Sequence, residues 1–180
     1  MKRHGMSGKV KVFAILLVAL ALLASCSREK STTDTLAVSV KNGTYIKTVS
    51  QSNAGDTDGK SEFAITGAAV SFDKDGKVVS CELDAADIAV KYTAAGKAVP
   101  VSDFATKREL GDRYGMKAAG AKAEWYEQAD AFEKVVEGKT VDEIKRLVAE
   151  GGRGVDEVIT AGCTISVEDF VKAIEKAAKN

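Results

Sequence analysis

With 180 residues, the chain is long enough for one compact domain that folds without staples, and its 26 Lys and Arg balance its 26 Asp and Glu. The chain has no excess of positive charge to bind a phosphate backbone, so nucleic acid is not an expected partner. The single histidine is His4, and the three cysteines have no metal-ligand spacing. Zinc or copper sites and histidine-based catalysis therefore have no support.

Residues 1–25 have the organisation of an export signal. Four basic residues and no acidic one accompany an unbroken apolar run over residues 12–24, and small residues end the run at Cys26. A helix of this length reaches only about 20 Å, which is short of the hydrocarbon core of a bilayer. The run therefore predicts a cleaved signal peptide rather than a permanent transmembrane span.

The segment Leu23-Ala24-Ser25-Cys26 resembles the lipobox of bacterial lipoproteins. This resemblance implies cleavage before Cys26 and lipidation of its thiol and amine by acyl chains such as palmitate. The alternative is an ordinary signal peptide with an incidental cysteine. Acyl chains contribute about 0.8 kcal/mol per buried methylene, so several of them anchor a protein stably. We therefore expect an exported protein, lipid-anchored to the cell membrane on the extracytoplasmic side.

The chain that follows the signal is mildly acidic. Removal of residues 1–25 leaves 22 basic against 26 acidic residues, a net charge of about −4. Residues 26–35 are polar and aperiodic, which predicts a lipidated tether, and residues 36–180 predict the folded domain.

The first half of this domain has the two-residue period of strands. Residues 36–40 and 45–49 alternate apolar and polar side chains around the turn dipeptide Asn42-Gly43, which predicts a hairpin. Residues 50–60 are polar and predict a surface loop. In the next strand the apolar parity changes across Gly67, which predicts a bulge there.

Further strands follow a tight turn. Residues 73–76 read Asp-Lys-Asp-Gly and predict a turn, after which residues 77–84 return as a strand. The alternation continues through residues 88–92, and Gly96 marks another turn. The first half of the domain therefore predicts an antiparallel sheet.

The second half changes to a helical period. Thr106 with Glu109 has the form of a capping box, and Gly111 ends that short helix. A longer helix is predicted from four apolar residues on one face, namely Trp125, Ala129, Phe132 and Val136.

Two more helices are predicted from capping pairs. Thr140 with Glu143 begins a helix that runs to the glycines at 151–152, and Ser166 with Asp169 begins the last one. Strands followed by helices predict an α+β domain in which helices from the C-terminal half pack on an antiparallel sheet from the N-terminal half.

The remaining cysteines and aspartates give no further site. Cys81 and Cys163 are predicted either as buried apolar side chains or as a disulfide, which the exported location permits. The Asp-rich turns at 56–59 and 73–76 lack the ligand spacing of a helix–loop–helix calcium site. No nucleophile-elbow motif is present, and the single histidine, His4, lies in the predicted signal, so a serine or cysteine hydrolase has little support.

One motif carries a functional prediction. The segment Gly162-Cys163-Thr164-Ile165-Ser166 resembles the Gly-Ala-Thr-x-Ser motif of the FMN-binding domain family, with cysteine in place of alanine. That family includes flavinylated subunits of the Rnf and sodium-translocating NADH:quinone reductase complexes, and exported lipoproteins. The resemblance implies that Thr164 takes FMN through a phosphoester bond, attached by a flavin transferase. In that case Gly162 and Cys163 shape the approach of the flavin to Thr164, and Ser166 begins the helix that supports the phosphate.

The resemblance extends along residues 36–178. Residues 42–45 resemble the opening strand of the family, and residues 70–80 resemble its central hairpin. Residues 109–117 and 125–139 resemble a group of clostridial-type FMN-binding-like lipoproteins. Residues 36–180 are therefore expected to form an FMN-binding-like domain.

Two functions follow as expectations. The first is a membrane-anchored, extracytoplasmic flavoprotein that carries electrons, with a flavin transferase and a membrane electron-transport complex as partners. The alternative is a non-catalytic surface lipoprotein of the same fold that binds a ligand or protein without flavin. Four side chains are candidates to flank a flavin ring, or else to serve as core: Tyr114, Met116, Trp125 and Tyr126.

Overall fold

The computed structural model describes residues 38–101 and 104–180, in which three strands form one antiparallel sheet. The strands are β1 (Ser39–Ser52), β2 (Gly59–Phe72) and β3 (Val78–Tyr92), in the order β1-β2-β3. The described helices come from the second half of the domain, and the two longest of them pack on this sheet. The predicted α+β class, with the sheet first and the helices afterwards, is confirmed.

The predicted first hairpin is wrong, because β1 continues without a turn through Asn42 and Gly43. These residues pair with Ala69 and Ala68 of β2, in unbroken register. A Cβ at Gly43 would lie 2.1 Å from the carbonyl oxygen of Ala173, so this glycine permits a close approach between a strand and a helix. The sequence alone does not distinguish a glycine that leaves room for a neighbouring helix from a glycine that forms a turn, and this explains the wrong prediction at Gly43.

The predicted bulge at Gly67 is also wrong. Register shifts occur instead between Thr48 and Ser50 and between Ser71 and Phe72. The apolar parity changes because Phe63 lies on the sheet face opposite the buried side chains of β2. The loop between β1 and β2 is shorter than predicted and covers residues 53–58.

The turn predicted at residues 73–76 is confirmed. The amide of Gly76 donates to the carbonyl of Asp73 at 3.1 Å, and Asp73 Oδ1 accepts from the amides of Asp75 and Lys77, both at 2.9 Å. The turn at Gly96 is confirmed too, since its amide donates to the carbonyl of Thr93 at 2.7 Å.

The described part of the second half contains five α-helices. They are α1 (Lys107–Leu110), α2 (Trp125–Val136), α3 (Val141–Lys145), α4 (Asp156–Ala161) and α5 (Glu168–Lys179), with short 3-10 turns at Gly111–Tyr114 and Glu150–Gly152. Helix α5 packs on β1 and β2, and α2 packs on β3. None of the described helices has the length and apolar character to cross a membrane.

The capping predictions hold for the first helices and fail for the last one. Thr106 and Thr140 each form the predicted capping box with the glutamate three residues later. Helix α3 ends at Lys145, well before the glycines at 151–152, and α4 was not predicted. Helix α5 begins after Val167 without a side-chain cap, so the predicted Ser166 cap is wrong.

The core lies between the sheet and helices α2 and α5. Phe132 and Ile174 are fully buried within it, and the Phe170 ring contacts Trp125 edge-to-face at 5.6 Å between ring centroids. The predicted export signal, Cys26 and the tether lie outside the described residues.

Candidate functional site

The motif residues form the turn between α4 and α5. Gly162 ends α4 in the left-handed conformation, with φ of 111°, which few other residues adopt without strain. The side chain of Cys163 points into the core and is fully buried, whereas Thr164 and Ser166 are exposed. The Ser166 hydroxyl donates to the carbonyl of Gly152 at 3.0 Å, which joins this turn to the 3-10 turn instead of capping α5.

A buried amide holds the predicted flavin-attachment residue. Gln128 Oε1 accepts from the Thr164 backbone amide at 2.8 Å and lies 2.9 Å from Thr164 Oγ1. Gln128 belongs to α2, one turn after Trp125, and is only 1% exposed. The backbone amide and the hydroxyl of Thr164 are thus both bound to one buried side chain, although Thr164 is an exposed residue.

A cleft of ≈310 Å³ lies beside this turn, and we call it the aromatic cleft. Tyr114, Met116 and Trp125 line it from the helical half, and Ile165 and Ser166 line it from the motif turn. Its volume lies at the lower end of the range of small-molecule sites, about 300–1,000 Å³. Three of the four predicted ring-flanking residues are therefore brought together with two residues of the motif segment.

Hydrogen bonds position the lining of the aromatic cleft. The Glu124 carboxylate accepts from the backbone amides of Met116 at 2.9 Å and Lys117 at 3.0 Å. These bonds hold the loop that contains Met116 against the start of α2. The Tyr114 hydroxyl donates to Asp87 Oδ2 at 3.1 Å. Tyr126, the fourth candidate, is not part of the lining, and its hydroxyl donates to Asp112 at 3.1 Å.

A cation also lines the aromatic cleft. Lys107 Nζ lies 3.1 Å from Asp87 Oδ2 and 5.0 Å and 5.7 Å from the ring centroids of Tyr114 and Trp125. Burial lowers the pKa of Lys107, but its interactions with Tyr114 and Asp87 outweigh burial and leave that pKa above its ordinary value. The cleft therefore contains a lysine–aspartate ion pair beside two aromatic rings.

The acidic residues at the start of α5 have basic partners. Glu168 pairs with Lys172 at 2.7 Å, and this contact holds the pKa of Glu168 below its ordinary value. Asp169, which lines the aromatic cleft, pairs with Lys47 of β1. Arg153 Nη2 donates to the carbonyl of Thr164 at 3.1 Å, which adds a cation at the motif. An anion at Thr164 would thus lie beside a guanidinium group.

The two domain cysteines are free thiols in the core, and no disulfide joins them. Burial raises the pKa of the Cys81 thiol to about 12 and that of Cys163 to about 11. The reactive thiolate is therefore scarce in the native protein at about pH 8, where an ordinary thiol ionises substantially.

We expect both thiols to resist alkylation until the protein unfolds. Iodoacetamide at about pH 8 should leave Cys81 and Cys163 unmodified in the time that labels the urea-denatured chain completely, since only unfolding exposes and ionises them. Peptide mass mapping measures each position separately. Native labelling of Cys163 at the denatured-state rate would contradict its burial.

Several residues of the site are absent from the sequence predictions. Gln128 falls at a core position of the apolar pattern of α2, between Trp125 and Phe132, and a polar residue at such a position was an available signal. Lys107 and Asp87 come from different halves of the domain, so only the tertiary fold brings them together.

Together, the fold and the site define a small α+β domain with an aromatic cleft beside an exposed, hydrogen-bonded threonine. No protein-family model and no solved structure matches the chain. Among curated proteins, the chain is similar to the chlorophenol reductase of Desulfitobacterium hafniense, with 34% identity over 100 residues. The alignment covers 48% of this chain and 31% of that protein, so the chain spans under a third of the length of this relative.

Proposed function

We propose that the chain is a membrane-anchored, extracytoplasmic flavin-carrying lipoprotein that passes electrons between a membrane donor and an outside acceptor. In this proposal Cys26 carries the lipid anchor and Thr164 carries FMN as a phosphoester. The observation that supports it most is the position of the exposed Thr164 in the segment whose next two residues line the aromatic cleft. The distant similarity to a chlorophenol reductase agrees with a redox role.

The residues present fit such a group. Thr164 is an exposed residue, and its hydroxyl is the group that would be esterified. The phosphate would lie beside the Arg153 guanidinium, which already contacts the Thr164 carbonyl. Tyr114, Met116 and Trp125 offer apolar surface for a planar ring, and the ribityl chain of FMN separates that ring from the phosphate.

In this proposal the flavin supplies the redox chemistry, and the protein residues bind and orient it. A bound flavin supplies reversible uptake and release of electrons. Lys107 and Asp87 place an ion pair at the cleft wall, whose ammonium group is a hydrogen-bond donor for a bound ligand. The apolar side chains that line the cleft would exclude water from a bound ring.

Intact-mass measurement after coexpression with a flavin transferase tests the proposal. The wild-type chain should gain the mass of FMN less one water, and Thr164→Ala should gain nothing, because the esterified oxygen is absent. Thr164→Ser should retain the gain. Thr160→Ala is a matched control, since this threonine is also exposed and lies four residues earlier. An unshifted wild-type mass, or a shift that persists in Thr164→Ala, would refute the covalent attachment.

The colour of the preparation separates this proposal from the alternative of a flavin-free lipoprotein of the same fold. A yellow, fluorescent protein supports the flavin. A colourless protein that stays colourless with added FMN supports a ligand- or partner-binding role for the aromatic cleft.

A further inference from the structure

The amide of Gln128 is satisfied at both ends although the residue is buried. Its Nε2 donates to the carbonyl of Ala123 at 3.1 Å, and its Oε1 faces both the backbone amide and the hydroxyl of Thr164. A buried glutamine needs such partners, since an unpaired amide in the core is costly. Here both partners on the oxygen side belong to one residue, the predicted attachment site.

The direction of each hydrogen bond follows from the chemistry of the groups. A backbone N–H can only donate, so the Gln128 atom that faces the Thr164 amide is the acceptor oxygen. That oxygen cannot donate, so the Thr164 hydroxyl must donate to it. The hydroxyl proton therefore points toward Gln128, and the lone pairs of Thr164 Oγ1 point away from the buried amide.

We infer that Gln128 is a positioning residue for the modification of Thr164. This inference rests on the proposed function, because it concerns the same hydroxyl. By accepting from the amide and the hydroxyl of one residue, Gln128 fixes the Thr164 side chain in one rotamer, with its nucleophilic lone pairs directed outward. Holding a nucleophile in its reactive orientation is a large part of catalysis of phosphoryl transfer.

The reaction balances with a flavin dinucleotide as the donor. The Thr164 oxygen forms a bond to the flavin-side phosphorus, the pyrophosphate bond breaks, and the nucleoside monophosphate leaves with the electron pair. The hydrogen bond from the Thr164 hydroxyl to Gln128 breaks in this step, and the proton departs to the transferase or to solvent, since an amide oxygen is too weak a base to keep it. After the reaction, Gln128 Oε1 still accepts from the Thr164 backbone amide, so no buried group is left unpaired.

Two substitutions at Gln128 distinguish its role in orienting Thr164 from its role in packing the core. Gln128→Met keeps the length and volume of the side chain but removes the acceptor, and Gln128→Glu keeps an oxygen acceptor. With purified transferase and flavin dinucleotide, we expect flavin incorporation into Gln128→Met to slow by about 10- to 100-fold, as misoriented nucleophiles do. We expect Gln128→Glu to recover most of the rate, although both variants lose the bond to Ala123.

A measurement on the unmodified wild-type chain keeps the test independent of folding in the variants. Three-bond couplings should give a single χ1 rotamer for Thr164, with a slowly exchanging backbone amide. An unmodified wild-type chain would refute the proposed function, whereas a wild-type chain that is modified no faster than Gln128→Met would refute only the positioning role. Equal incorporation rates in wild type and Gln128→Met, or a rotationally averaged Thr164, would overturn the positioning role.

Discussion

Gly43→Ala should destabilise the domain by about 3 kcal/mol, at the upper end of what overpacking costs. The added Cβ would lie 2.1 Å from the carbonyl oxygen of Ala173 and 2.3 Å from the amide nitrogen of Ala177. Both are backbone atoms of α5, so no side-chain rotation relieves the clash, and the helix must move away from β1. Urea unfolding followed by circular dichroism measures the loss.

Gly67→Ala provides the matched control. Gly67 lies in the middle of β2 and pairs with Thr44, next to Gly43, but on the opposite face of the sheet. A Cβ at Gly67 would meet nothing closer than the carbonyl oxygen of Asp84 at 4.0 Å. Its stability change should stay within about 0.5 kcal/mol. Equal losses in the two variants would show that strand propensity, and not the contact with α5, explains the Gly43 effect.

The same contact connects the sheet to the candidate site. Helix α5 carries Asp169 and Phe170, which line the aromatic cleft, and its N-terminus follows the motif turn directly. A displacement of α5 from β1 therefore changes the cleft as well as the core. The close approach at Gly43 thus helps to set the distance between the sheet and the wall of the cleft.

The sequence predicted those parts of the fold that local chemistry determines. The capping boxes at Thr106 and Thr140 depend on residues three positions apart, and the turn at Asp73 depends on a single side chain that accepts two nearby amides. Such patterns need no tertiary information. The antiparallel pairing of β2 with β3 likewise follows from the short turn at residues 73–76.

The errors occurred where a distant contact decides the local structure. Asn42-Gly43 is a strong turn dipeptide, but burial of Gly43 under α5 keeps it in a strand. Ser166 and Asp169 have the spacing of a cap, but Ser166 bonds to Gly152 and Asp169 to Lys47. In each case a partner far along the chain replaced the local one, and a pattern within a few residues carries no record of that partner.

The candidate site also has one part that the sequence predicted and one part that it did not. Resemblance supplied the motif, and residue type supplied Tyr114, Met116 and Trp125. The hydrogen bond between Gln128 and Thr164 joins residues 36 positions apart, so its partner was not predictable from the sequence.

A second large effect is expected at the outer edge of β3, where side chains pair with the backbone of Leu83. The Leu83 amide donates to Glu133 Oε1 at 2.7 Å, and Arg108 Nε donates to the Leu83 carbonyl. Arg108 also pairs with Glu133 and, at 2.8 Å, with Asp130. These contacts satisfy backbone groups that an edge strand otherwise leaves open to another chain. They also fix α1 and α2 against the sheet.

Arg108→Met should cost about 2–3 kcal/mol near neutral pH, because it leaves the Glu133 carboxylate buried without its cation. The cost is below the ~3–5 kcal/mol of a fully buried pair, since the Arg108 side chain is 27% exposed. Burial already raises the pKa of Glu133, and Arg108 is among the groups that lower it again. Removing Arg108 should therefore raise this pKa further.

The sign of the pH dependence follows from that shift. Below the ordinary glutamate value of 4.5, Glu133 is protonated in both the folded and the unfolded chain, and its burial carries no charge penalty. As the pH rises above that value, the unfolded chain ionises first, so Arg108→Met loses stability until the raised folded-state pKa is passed. Urea unfolding of variant and wild type across this pH range should show the smallest difference in acid.

Asp130→Asn removes the more exposed partner of the same arginine, 45% exposed against 11% for Glu133, and should cost under about 1 kcal/mol. A loss in Asp130→Asn as large as that in Arg108→Met, or a difference that does not change with pH, would place the effect outside the buried Glu133 carboxylate.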